Sequence, residues 1–406
     1  MAPLGLFTGL LLLSTVVSTG VREQCQFSID AAKQASKAVA ELALKVYGKA
    51  AEPERNLVFS PVSIALGLAL VDSGTDGQTR AELQGLLAPS GSNQVNSSSL
   101  YESLQRQLQI RGSLSLANGL FHSDQLTAKP EFVNRSQQCL HTRVDRVPFR
   151  TDTEEARRRV NQWVSNNTAH KVPQLFKPGQ LSAATVAVLA NALHFKAPWA
   201  RRFENSQTLP FYKLGREEAP QTVRFVVDEG LYLHAEDEHV QLIEVPYEGA
   251  ASISFYLLLP KLRHGLRAVE AALSTQRVRA LRTGATRKRA TLKLPVFTAR
   301  TSLDLKTVLQ ALGVNKVFSD QADFSRLADG RLKVDRAQHE AYIAVNENGT
   351  EAAAATGFAI LPGAAPPPPG PPVTFIADHP FFFAVVHKPT GAFIFVGKVV
   401  SIENDQ

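Results

Sequence analysis

Apolar positions recur at helical spacing near the start of the chain and gather into strand-like blocks later on. Within residues 28–47, Ala31, Ala35, Val39, Leu42 and Val46 fall on one helical face, which predicts an amphipathic helix. Residues 129–138 read as a second helix, and Asp152-Thr-Glu-Glu155 ahead of Arg157 and Val160 reads as the capped, acidic start of a third. Dense apolar runs at 185–195, 223–234, 253–259, 291–297, 381–386 and 393–400 predict strands, the last two joined through a Lys-Pro-Thr-Gly turn. Helices first and strands in blocks favour an α+β architecture over regular strand-helix alternation.

One stretch breaks the pattern. Residues 350–361 hold no proline, little bulk and one charge, and on a two-residue period Thr350, Ala352, Ala354, Thr356, Phe358 and Ile360 would share one strand face. Glu351 falls on the other face, where water would take it. From Pro362 the character changes: six prolines between Pro366 and Pro372 remove backbone donors and exclude this half from the middle of a sheet. A segment able to become a buried strand, followed by one that is not, has the composition of a loop that must later enter a sheet.

The residues around it resemble a known family. Val345-Asn-Glu-Asn-Gly-Thr-Glu-Ala-Ala-Ala-Ala-Thr356 resembles the hinge of inhibitory serpins, and Ala377-Asp-His-Pro-Phe381 resembles their C-terminal signature. Asn56-Leu-Val-Phe-Ser-Pro-Val-Ser-Ile64, Asn161-Gln-Trp-Val164, Leu189-Ala-Asn-Ala-Leu-His-Phe-Lys196 with Trp199, and the stretch from Asp335 to Val345 around His339 are similar to serpin landmarks in the same order. The resemblance implies a serpin fold: three β-sheets ringed by about nine helices, with an exposed reactive-centre loop at roughly 346–372. It implies hinge roles for Glu347, Gly349, Thr350, Glu351, Ala352, Ala353, Ala354, Ala355 and Thr356. Shutter roles under the main sheet would fall to Ser60, Asn191 and His339. It also implies a suicide mechanism, in which a serine protease attacks the loop, forms an acyl-enzyme and is carried off as 350–361 inserts into the central sheet.

Residues 1–20 read as a secretory signal peptide, apolar at Leu10 to Leu13 and ending in the small-residue Ser18-Thr-Gly20; residues 21–406 then read as one domain. Export is the expectation, since no later run is long and apolar enough to span a membrane and Glu403-Asn-Asp-Gln406 is no retention signal. In an oxidising compartment the two cysteines, Cys25 and Cys139, can form one bridge; two free thiols, or an intermolecular link through Cys25, are the alternatives. Four sequons fit the same compartment, at Asn96, Asn134, Asn166 and Asn348. Asn348 stands where the family usually has an acidic residue, and a glycan there would hinder insertion.

Catalytic motifs are missing. There is no Gly-x-Ser-x-Gly elbow and no His-Glu-x-x-His; His234-Ala-Glu-Asp-Glu-His239 matches no standard metal site and reads as a solvated acidic turn. We therefore expect no enzyme, no metal and no cofactor. The formal charge is +7, and Arg277, Arg279, Arg282, Arg287, Lys288, Arg289 and Lys293 account for as much in one acid-free stretch. With secretion, nucleic acid is an unsuitable partner and a heparin-like glycosaminoglycan a suitable one, against the plain alternative of a solvated basic surface.

The reading that follows is a secreted, monomeric suicide inhibitor of serine proteases, with a non-inhibitory carrier or precursor serpin as the rival. Counting along the loop from Gly349 by the family's usual spacing puts the scissile bond at Gly363-Ala364, with Ala364-Ala365 the alternative, because proline on the leaving-group side disfavours the neighbouring bonds. No Arg or Lys occurs from Thr350 to His387, so a protease with a carboxylate-lined pocket finds no cation, and the expected target is elastase-like.

Overall fold

The structure, a computed structural model, describes residue 25 and residues 27–91, 97–109, 113–248, 252–350 and 371–403. The N-terminal third is mainly helical: α1 (Ile29–Ala50), β1 (Leu57–Phe59), α2 (Pro61–Gly74), α3 (Gly77–Leu87), α4 (Ser97–Gln107), β2 (Leu114–Ser123), α5 (Pro130–Cys139), β3 (Arg143–Val147) and α6 (Thr153–Asn167). Strands dominate the middle: β4 (Ala187–Phe195), β5 (Ala197–Pro198), β6 (Asn205–Phe211), β7 (Gln221–Glu236), β8 (Val240–Pro246) and β9 (Ile253–Pro260). Then come α7 (Leu266–Ala271), α8 (Thr275–Gly284), β10 (Thr286–Pro295), β11 (Phe297–Asp304), α9 (Leu305–Ala311), β12 (Arg336–Asn346), β13 (Gly349–Thr350), β14 (Val373–Ile376), β15 (Phe381–His387) and β16 (Ala392–Val399).

Local chemistry explains the main boundaries. The Ser28 hydroxyl accepts the backbone N–H groups of Asp30 and Ala31, so the predicted first helix begins one residue after its cap, with Asp30 and Lys49 complementing its dipole. Asp152 caps α6 by accepting the Glu155 N–H. The expected strand at 291–297 is in fact two. β10 starts earlier, at Thr286, because alternate positions Ala290, Leu292 and Leu294 are buried while its other face carries charge, and the ladder breaks at Val296 before β11.

Nine α-helices, among the described residues, surround two hydrogen-bonded sheets of nine and seven strands. The larger has the order β1-β16-β15-β9-β8-β7-β10-β14, with β6 also on β7. Three sheets are implied by the family resemblance, and hydrogen bonding gives two because β7 is 16 residues long: one end pairs with β6 and the other with β8, so the ladder never breaks between the two halves. The smaller sheet runs β3-β2-β4-β12-β13-β5, with β11 on the far side of β12. α2 lies beneath it, buried along nearly its whole length, and β4 is buried at all nine positions, so Asn191 within β4 is held in apolar surroundings.

Candidate functional site

The seven-stranded sheet contains a seam. β4 and β12 run parallel, paired from Arg336 beside Val188 to Ala341 beside Leu193, with His339 next to Asn191. Beyond that, β4 is interrupted at Lys196 and resumes as β5, while the chain after β12 turns back on itself as β13. Gly349 and Thr350 pair antiparallel with Asn346 and Val345 on one side and with Pro198 and Ala197 on the other. The residues that lead into the expected insertion segment thus already sit as a strand between the two neighbours that meet directly further down.

Only glycine fits the first position. Gly349 has φ +148°, and a Cβ there would lie 2.1 Å from the Ala197 carbonyl oxygen. Thr350 is fully buried, and its hydroxyl is 2.6 Å from that of Tyr247. The Tyr247 ring stacks on Trp199 at 4.5 Å, and burial holds its phenol protonated. Trp199 donates its indole N–H to the Asn346 carbonyl at 2.8 Å and its backbone N–H to that of Asn348 at 3.0 Å. The Phe203 N–H donates to the Glu347 carbonyl, and the Glu347 carboxylate pairs with Arg224 at 2.9 Å. Every residue from Asn346 to Thr350 is therefore anchored, through Trp199 and Tyr247 above all. Trp199 carries a family resemblance, but nothing in the sequence points to Tyr247, which is 103 residues from its partner.

The three predicted shutter residues meet below the seam. Ser60 caps α2 by accepting the Ser63 N–H, and its own backbone N–H donates 3.0 Å to His339 Nε2. Since Nε2 accepts, the proton sits on Nδ1, which donates to the Asn191 side-chain oxygen. Asn191 Nδ2 donates in turn to the Ser63 carbonyl at 2.6 Å and to Asn118 Oδ1, which also accepts the Ser63 hydroxyl at 2.9 Å. Burial without a charged partner pushes the His339 pKa down to about 3 and keeps the ring neutral. Ser63, which lies within the Asn56 to Ile64 landmark, and Asn118, which the sequence did not single out, also belong to this network.

Other predicted sites divide. Cys25 and Cys139 are bonded, with Cα atoms 5.6 Å apart, which ties the segment before α1 to the end of α5. Asn134 and Asn166 are exposed on α5 and at the end of α6, whereas Asn348 is half-buried with its Oδ1 sealed from solvent and unpartnered. Asn96, Glu351, Ala352, Ala353, Ala354, Ala355, Thr356, Gly363, Ala364 and Ala365 lie outside the described residues.

The seven basic residues do not form one field. Arg277 is tied to Asp237 at 2.8 Å, and Arg282 lies over the Tyr256 ring. Lys288 shares the inner face of β10 with buried Ala290 and Leu292, next to His234, while Lys293 donates to Gln207. Exposed Arg279 is on α8, and exposed Arg287 and Arg289 share the outer face of β10. The expected acidic turn at 234–239 is real at Asp237 and Glu238, but His234 is buried at the end of β7; no group of three metal-type ligands occurs among the described residues.

The sheet thus has a parallel seam, with Gly349 and Thr350 seated as a short strand at its head and a neutral polar network beneath it. The chain belongs to the serpin family: the family model described as serpin (serine protease inhibitor) matches residues 37–402. It is 30% identical to human neuroserpin, over 99% of this chain and 97% of that protein. It is 33% identical to leukocyte elastase inhibitor of Bos taurus, over 86% and 94%. Among solved structures, it is similar to human thyroxine-binding globulin complexed with thyroxine, with a TM-score of 0.80 at 25% identity, covering 92% of this chain and all of that one.

Proposed function

We propose that the protein is a secreted serine-protease inhibitor that works by loop cleavage and strand insertion, with a protease that prefers small residues as its target. The observation that carries this reading is the seat of Gly349 and Thr350 between β12 and β5. Insertion then continues a strand already begun, and the residues that follow, Glu351 to Thr356, are small or have a side chain that would face water. A dozen newly paired residues at about 1 kcal/mol per hydrogen bond give on the order of 10 kcal/mol, comparable with the stability of a whole domain. The similarity to leukocyte elastase inhibitor and the cation-free loop support the elastase-like target. The apolar leader, the sequons and the Cys25–Cys139 bond support secretion.

The test is incubation with elastase-like and trypsin-like proteases. A complex with the first that survives boiling in detergent, together with a raised unfolding temperature after loop cleavage, is expected. Clean cleavage without complex and an unchanged midpoint would sink the inhibitory mechanism.

A carrier reading has one observation in its favour. A largely apolar cavity of about 660 Å³ lies between α1, α8 and the β9-β15-β16 part of the large sheet, lined by Leu44, Leu258, Phe382 and Phe393 with Lys33 and Arg279 among its polar residues. Native mass spectrometry of the purified protein, looking for a retained amphipathic small molecule, separates this reading from the first.

A further inference from the structure

The outer face of the large sheet carries a patch that the inhibitory reading leaves unused. Leu231 is 47% exposed, one of few large apolar side chains so placed among the described residues. It lies in register with Arg289, and its neighbour on the same face, half-buried Leu233, lies in register with Arg287. Both arginines are exposed, and among the described residues neither is paired with an acid. Two acids border this face: Glu244, in register with Leu233 across β8, is buried and held by Ser254, Tyr256 and Lys388, and exposed Glu229 stands opposite Thr291 at the far end of the patch; Asp228 points to the other face, held by Arg201 and Tyr232. The patch is thus an apolar spot flanked by two unneutralised guanidinium groups.

Its position in the sheet indicates what meets it. β14 runs parallel to β10, with Val373 beside Ala290 and Ile376 beside Lys293. Pro371 and Pro372, which precede Val373, therefore arrive at the Arg287 to Arg289 end of β10. This is where the reactive loop returns to the sheet. A protease gripping that loop is held over this end of the sheet, so the arginines and Leu231 lie within the zone its surface covers. We propose that Leu231, Arg287 and Arg289 form an exosite for an acidic surface on the target protease, adding steering and selectivity that the bland loop sequence does not supply. The proposal rests on the protease reading of the loop. It fits an acidic protein better than a polyanion chain, because the exposed Leu231 beside the two arginines offers an apolar contact that a sulfated polysaccharide has no use for.

Binding can be measured apart from trapping. The full chain is titrated by surface plasmon resonance against elastase-like proteases whose nucleophilic serine is replaced by alanine, one with an acidic surface around the active site and one with a basic surface. With the acidic protease, R287A/R289A should weaken binding about tenfold at low salt and much less at high salt, and L231S should weaken it at both. The basic protease should bind the arginine variant at least as tightly as the wild type, since two like charges are removed from the interface. Unchanged affinity for the acidic protease overturns the exosite. So does unchanged affinity combined with earlier elution of R287A/R289A from a heparin column, which assigns the face to a polyanion. Detergent-stable complexes with the active proteases are scored separately: their absence, with arginine-dependent binding intact, would sink the inhibitory mechanism and leave the exosite standing.

Discussion

The hydroxyls of Tyr247 and Thr350 lie 2.6 Å apart in a site with no solvent, so each satisfies a group the other would leave stranded. This contact joins the hinge to a ring that is itself stacked on Trp199.

Thr350→Arg places a cation where the native side chain is fully buried between two strands. The variant is expected to fold with the hinge expelled and to be cleaved as a substrate, with detergent-stable complex reduced at least tenfold. Gel analysis of complex against cleaved product at equal protease doses checks this.

Gly349→Ala acts on the same seat by sterics, since its Cβ would collide with the Ala197 carbonyl and the φ value is unfavourable for an L side chain. It should unseat β13 and cost about 2–4 kcal/mol in urea unfolding, whereas Tyr247→Phe, which removes only the hydroxyl pair, should cost about 1 kcal/mol.

His339 gives a pH signature. Its folded pKa, about 3, lies below the unfolded value of 6.5, so the unfolded chain binds the extra proton. The associated stability is fully present above about pH 6.5 and is lost toward pH 3, at roughly 1.4 kcal/mol per unit for this residue alone. His387, lowered to about 4 by burial, adds to the same window. Urea unfolding of His339→Gln should show lower stability at neutral pH, by about 2 kcal/mol, and a shallower acid decline than the wild type. Parallel pH curves would refute the assignment.

Breaking the Cys25–Cys139 bond releases a closed loop spanning a sequence separation of 114 residues. Cys25→Ser should cost about 3–5 kcal/mol and lower the unfolding temperature by several degrees, and reductant should do the same to the wild type but not to the variant.

Elements dominated by local periodicity were legible in the sequence. α1, α6 and the last two strands fall where apolar spacing and capping residues put them, because those signals act within a few residues. His339, Asn191 and Ser60 were legible only through resemblance: Asn191 and Ser60 are polar residues set in apolar runs, His339 is one of three consecutive polar residues with Gln338 and Glu340, and their meeting depends on the register of β4 against β12 and the packing of α2 beneath. The basic stretch shows the limit most clearly. Seven charges adjacent in sequence look like one field, yet strand alternation sends Lys288 and Arg289 to opposite faces, and Arg277 finds Asp237 forty residues away. Tyr247 gave no signal, since its role exists only once the hinge has folded onto it.

If a strand inserts as proposed above, the seam between β4 and β12 also gives the molecule a lifetime. Six register pairs must part before a strand can pass between them, and the backbone hydrogen bonds broken there are re-formed with the newcomer. On that reading, how long the uncut form keeps its seam closed is set by a rate, whose barrier is the unzipping of those pairs and the neutral lock beneath them. Warming or acid, which weaken that lock, should shorten the time over which a stored sample keeps its activity, even where the sample shows no sign of unfolding.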